Sequence, residues 1–271
     1  MSLTRHSWEP DNKVGQKGVD PLSNLPFNQW WFHGYIDQAP PEGEFLELPA
    51  GGSFIGQVSC DKASTIYGPE GENTPVPPRA CTVNRNEPDQ SGALHSADPW
   101  STPVDQVQDV KGTAIAIVYE SDVHKIKPED FVVISTNARS PWIRDTEYKI
   151  PAGLPPCPEG GCHCMWGWIH GTKGGKPNEM YMTGYRCNVT NADPNGRPLP
   201  KPRLANKCVE DKSNCTVGAK QAHFWAQAEG NNNFQDNGND PPYYNADYGF
   251  MDGAQTDLWD TPAQKRRSRI L

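Results

Sequence analysis

Glycine and proline fill 52 of the 271 positions of this chain, 25 of one and 27 of the other. Such density breaks long helices, because glycine loses the most backbone entropy on ordering and proline lacks the amide hydrogen a helical ladder needs. It suits short strands joined by long, shaped loops. The apolar runs fit that reading: Gly112-Thr-Ala-Ile-Ala-Ile-Val-Tyr119 and Asp130-Phe-Val-Val-Ile-Ser135 are short, β-branched and bounded by charge, as buried strands are. Further strands are expected over residues 44–48, 53–60, 165–170 and from 181 onward. The aromatic run 27–35 suits a strand packed on both faces, and 221–226 a short one. Residues 66–110 hold no sustained periodicity and read as a long surface loop.

A single all-β sandwich reaches this length, and no fixed-period repeat suggests a solenoid or propeller. The expected organisation is an extended segment over 1–26, one β-sandwich domain over 27–260 to which that segment belongs, and a basic tail over 261–271 containing Lys265-Arg266-Arg267-Ser-Arg269.

The net charge of −8 repels phosphate backbones and anionic membranes, so neither nucleic acid nor a membrane is an expected partner; a neutral substrate such as a glycan suits it. No run is apolar enough to span a bilayer. Eight cysteines, Cys60, Cys81, Cys157, Cys162, Cys164, Cys187, Cys208 and Cys215, lack the CxxC spacing of zinc ribbons and point to disulfides. Cys208 with Cys215 would close a short loop. The sequons Asn188-Val-Thr and Asn214-Cys-Thr add two candidate glycosylation sites and the same oxidising, secretory route. The stretch Met1-Ser-Leu-Thr-Arg-His6-Ser-Trp carries no apolar segment of the signal-peptide kind. Two readings follow: a secreted protein whose leader is absent from this sequence, which the cysteines and sequons favour, or a cytosolic relative with reduced thiols.

The densest chemistry lies between His170 and Thr190. A loop opens after His170, closes at Glu179-Met-Tyr181, and runs into Cys187-Asn-Val-Thr190. Strand side chains alternate, so Tyr181, Tyr185, Cys187 and Val189 should share one face. An imidazole, a carboxylate and a phenol then converge on one strand edge. The other histidines give no local metal clip: there is no HExxH and no His-x-His. His163, between Cys162 and Cys164, fits two disulfides leaving one turn better than zinc. His33 and His223 sit among aromatics, where a hydrogen-bonded core histidine is the common outcome. No Gly-x-Ser-x-Gly elbow appears, and paired carboxylates for glycoside hydrolysis stay open as a weak alternative.

With these residues in hand, the chain resembles the lytic polysaccharide monooxygenases, whose strand carries a histidine, then Gln-x-Tyr, then a cysteine and often a sequon. The closest resemblance is to the fourteenth auxiliary-activity family, fungal enzymes acting on xylan associated with cellulose. Its marks include Phe27-Asn-Gln-Trp-Trp-Phe-His-Gly34, Glu47-Leu-Pro-Ala-Gly51, Lys127-Pro-Glu-Asp-Phe131, Cys157-Pro-Glu-Gly-Gly-Cys162, Glu229-Gly-Asn-Asn232 and Asp252-Gly-Ala-Gln255, in order along nearly the whole chain. The resemblance implies an immunoglobulin-like antiparallel β-sandwich with long loops and several disulfides. It also implies one copper ion in a histidine brace, an external electron donor, a polysaccharide surface as partner, and a secreted monomer.

In that family the mature amino-terminal histidine and a second histidine hold the metal. The second maps to His95 and the axial tyrosine to Tyr181, with His170 and Glu179 as supporting residues; nitrogen donors of this kind suit copper. His6 is the histidine nearest the start and takes the amino-terminal role if residues 1–5 are removed. Glu179 replaces the usual glutamine: an amide donates and accepts hydrogen bonds, whereas a carboxylate only accepts. Trp100, in a short addition after His95, could extend a glycan-facing surface or anchor its loop. The implied reaction is oxidation of a C–H bond beside a glycosidic linkage. The rivals are a non-catalytic relative that binds copper or glycan, and a disulfide-stabilised sandwich with structural histidines only.

Overall fold

The computed structural model describes residues 7–8, 20–60, 62–68, 70–73, 80, 109–172, 178–234 and 240–261. Its strands are β1 (Leu46–Pro49), β2 (Ser53–Gln57), β3 (Thr113–Val118), β4 (Val132–Asn137), β5 (Asp145–Lys149), β6 (Cys162–Ile169), β7 (Met180–Thr190) and β8 (Gly253–Ala254). A six-stranded sheet runs β1-β7-β6-β3-β4-β8, and β2 pairs with β5 in a second sheet. The expected all-β sandwich is present. Its pairing is antiparallel except between β1 and β7, which run parallel with Leu46 opposite Cys187.

The large sheet is buried on both faces, which explains its near-continuous apolar runs. One face carries Ile115, Ile117, Trp166, Trp168, Tyr185, Cys187 and Val189 and packs against Tyr148 and Phe54 of the second sheet. The other carries Ala114, Ala116, Met165, Met180 and Met182 and packs against Trp8, Leu22, Trp30, Trp31 and Phe32. The alternation expected along β7 is therefore observed. Between the sheets, the Trp166 indole donates to the Tyr148 hydroxyl at 2.8 Å, and that hydroxyl lies 2.7 Å from the Thr113 hydroxyl. This network satisfies polar groups that would otherwise be costly at such depth.

Residues 27–35 do not form a strand. A short helix, α1 (Phe27–Trp30), passes into a 3-10 turn over Trp31–Gly34, with Phe32 and His33 in the left-handed region at φ 48° and 52°. The reason is burial: Trp30, Trp31 and Phe32 are consecutive and all enter the same core, whereas a strand would send the middle ring to the opposite face. Residues 221–226 are likewise not a strand. Gln221 makes one bridge to Val132, while β8 takes the far part of the β4 edge, pairing with Ser135 and Thr136. The strand β5, which sequence reading missed, alternates correctly but is masked by its charges: only Thr146 and Tyr148 turn inward.

Three disulfides lie among the described residues: Cys157–Cys162, Cys164–Cys187 and Cys208–Cys215. Cys60 is also disulfide-bonded. Two of the bridges leave β6 on either side of His163, so the Cys-His-Cys run is no zinc site. The His163 ring instead lies 2.7 Å through Nδ1 from the Glu120 carbonyl and packs against Trp8. Most of the expected loop 66–110 falls outside the described residues.

Candidate functional site

Strands β6 and β7 pair in register from Cys162–Cys187 to Ile169–Met180, which sets Trp168 opposite Tyr181. Their rings stack with centroids 5.1 Å apart and planes 24° from parallel. The Trp168 indole donates to the Val110 carbonyl at 2.8 Å, fixing the platform on which Tyr181 rests. Trp168 also meets the His170 ring, centroids again 5.1 Å apart. One step past the last strand pair, the His170 amide donates to the Glu179 carbonyl at 3.0 Å. The ladder thus extends through the two residues that flank the intervening loop. His170, Glu179 and Tyr181 come together at this end of the sandwich, as their spacing suggested.

The chemistry of each group follows from its surroundings. Burial raises the Tyr181 hydroxyl pKa first, and the charges of Glu179 and Asp20 raise it further, so the phenol keeps its proton at neutral pH. It offers a neutral oxygen. The buried His170 ring lies 2.7 Å through Nδ1 from the Gly171 carbonyl. A carbonyl only accepts, so Nδ1 carries the proton in this contact.

Two participants escaped the sequence reading as members of this site. His33 Nε2 lies 2.6 Å from the carbonyl of Met182, the residue after Tyr181, and the charge of Asp20 acts on both His33 and Tyr181. Burial lowers the His33 pKa to about 4, more than that carbonyl and Asp20 raise it. Nothing marks Asp20 in the sequence. His33 had one sign, its place in the aromatic run, and that sign suggested core. His223 is a core histidine, ringed by Tyr244, Tyr248 and Phe250.

His6, His95 and Trp100 lie outside the described residues. Ser7, which follows His6, bridges Tyr185 on β7, the strand that carries Tyr181. Among the described residues no three His, Cys, Asp or Glu side chains gather as a metal site. Asn188 is half-buried on β7 opposite Glu47, and Asn214 is exposed at the end of a 3-10 turn, Lys212–Asn214. No helix among the described residues is long and apolar enough to cross a membrane.

The chain has counterparts among known proteins. The family model for lytic polysaccharide monooxygenase AA14 matches residues 2–265. AA14 family lytic polysaccharide monooxygenase A of Trametes coccinea (strain BRFM310) is 44% identical over 268 residues, covering 96% of this chain and 58% of the relative. The B protein of Pycnoporus cinnabarinus is 39% identical over 268 residues, covering 96% and 67%. That of Talaromyces rugulosus is 32% identical over 246 residues, covering 89% and 82%. The chain belongs to the AA14 family of lytic polysaccharide monooxygenases. It spans about 60% of the length of the Trametes coccinea relatives.

Proposed function

We propose that this protein is a secreted, monomeric, copper-dependent monooxygenase that cleaves a polysaccharide oxidatively, with xylan associated with cellulose as its substrate. The observation that carries the reading is the Trp168–Tyr181 stack, with His170 and Glu179 at the end of the same ladder, in a chain of AA14 membership. Copper would be held by His95, Tyr181 and His6 as the mature amino terminus. The described part of the site fits this metal, since the neutral, half-buried Tyr181 phenol would add a weak oxygen donor to the histidine nitrogens that suit copper. Once bound, copper supplies the activation of dioxygen or peroxide, with electrons from an external donor, for hydroxylation of a C–H bond next to the glycosidic linkage.

The residues of this chain supply orientation and proton control. The Trp168 platform sets the angle of the Tyr181 ring. The Glu179 carboxylate places an acceptor where the family has a donating amide, and His170 directs its Nδ1 proton to the Gly171 carbonyl. Glu179→Gln is therefore expected to raise oxidation several-fold at neutral pH by restoring a donor, as read by mass spectrometry of oxidised oligosaccharides released from xylan-coated cellulose. No oxidised product from any processed, copper-loaded form would defeat the enzymatic reading. The carboxylate at 179 favours one second reading, a non-catalytic relative that binds copper or glycan. Trp100 is proposed as a glycan-facing ring, and Asn188 and Asn214 as glycan acceptors, to be tested by the mass lost on glycosidase treatment.

A further inference from the structure

The cleft lined by Asn24, Asn178, Trp225, Gln227, Asn231 and Phe234, among others, has no part in the reading above. It encloses about 540 Å³, and among the described residues no charged side chain lines it. It sits beside the first residues of β7, because Leu22 and Met180 exchange backbone hydrogen bonds of 2.8 and 3.0 Å and Asn178 directly precedes Glu179. The cleft therefore adjoins the edge that carries Tyr181.

Its wall is built from spent amides. The Gln227 side chain donates to the Leu22 and Trp225 carbonyls at 2.9 and 3.1 Å, and Asn231 exchanges hydrogen bonds with the Gln227 backbone at 2.8 and 2.9 Å. Its open groups are different. Among the described residues, neither the Asn24 nor the Asn178 carboxamide has a hydrogen-bond partner. Both residues stand in the left-handed region, at φ 51° and 75°, as does Ala226 at 60° in the same wall. Left-handed backbone at residues other than glycine is uncommon and gathers where a ligand is held. Beside them Phe234 is 81% exposed, the most exposed large apolar side chain in the described chain.

Among the described residues a charged ligand would find no counter-ion, and a wholly apolar one would leave the Asn24 and Asn178 carboxamides unpaired. A pyranose ring satisfies both features, since its C–H face stacks on an aromatic ring while its equatorial hydroxyls meet amides. We infer that this cleft is a subsite for neutral pyranose units, holding a glycan chain beside the Tyr181 edge. Its place in catalysis rests on the polysaccharide-directed function proposed above.

The test is calorimetric titration of the full chain, free of copper and reductant, with xylohexaose, cellohexaose and the anionic hexagalacturonate. The wild type is expected to bind a neutral hexasaccharide, and Phe234→Ala to weaken that binding by about tenfold. Asn178→Gly, which keeps the left-handed backbone without strain, should weaken it several-fold. Both changes are at the surface, so the melting temperature should hold. Preference for either neutral sugar supports the subsite and tells xylan from cellulose. The inference is overturned if neither neutral sugar binds, if hexagalacturonate binds as well as they do, or if the double variant keeps its Kd within twofold. Copper and turnover do not enter the measurement, so its failure leaves the oxidative reading untouched, and the reverse also holds.

Discussion

Trp168 is the residue on which the site geometry turns. It is fully buried, donates to Val110, and touches both Tyr181 and His170. Trp168→Ala should cost about 3–5 kcal/mol of stability, read as a lowered urea midpoint. Near-ultraviolet circular dichroism should report the loss of the stacked pair. The buried histidines make a second measurable prediction. Folded His223 resists protonation down to about pH 3, and folded His33 to about 4, because burial disfavours their charged forms, whereas the ordinary value is 6.5. Below 6.5 the unfolded chain binds more protons, so this part of the stability is complete above that pH and drains away as pH falls toward 3. Unfolding by urea at about pH 4.5 should therefore need less denaturant than at pH 7, and His223→Phe should make the decline shallower. The nearness of His170, Glu179 and Tyr181 was legible from spacing because they sit on one strand and its loop. Asp20 and His33 were not, since their nearness to Tyr181 depends on how a distant segment docks.

At the scale of elements, sequence reading succeeded where a strand is buried on both faces and failed where aromatics cluster. The runs that became β3 and β4 are β-branched and bounded by charge, so local pattern and final environment agree. The run from Phe27 to Gly34 is rich in aromatics but puts three successive rings into one core, which no strand can bury together. That segment is accommodated by a glycine on β7. A Cβ on Gly184 would stand 2.3 Å from the Phe32 ring, and the Gly184 carbonyl accepts from the Trp8 amide at 2.9 Å. Gly184→Ala should push the aromatic segment off the sheet and cost roughly 1–3 kcal/mol, checked by thermal unfolding. The same displacement should let water reach the His33 ring, and because burial is the largest cause of its lowered pKa, outweighing the Met182 carbonyl that raises it, the His33 pKa should move up from about 4 in an NMR titration. The β1–β7 parallel pair was illegible for a different reason: partner direction is set by a long crossover, not by either strand's own residues.

At the scale of the molecule, the all-β sandwich followed from glycine, proline and short β-branched runs, and AA14 membership accounts for 96% of the chain in its Trametes coccinea relatives. What composition could not provide was the convergence of segments on the Tyr181 end, because that depends on contacts between residues far apart in the chain. The proposed function stands on a single copper site there, with His95 and Tyr181 as ligands. Copper(II) titration of the processed protein, followed by electron paramagnetic resonance, tests it for the wild type and His95→Ala. One tightly bound equivalent with an axial signal is expected in the wild type, and an affinity lower by roughly a hundredfold in His95→Ala. The copper site is refuted if the processed chain begins with a histidine yet binds no copper tightly, or if His95→Ala binds it as well as the wild type.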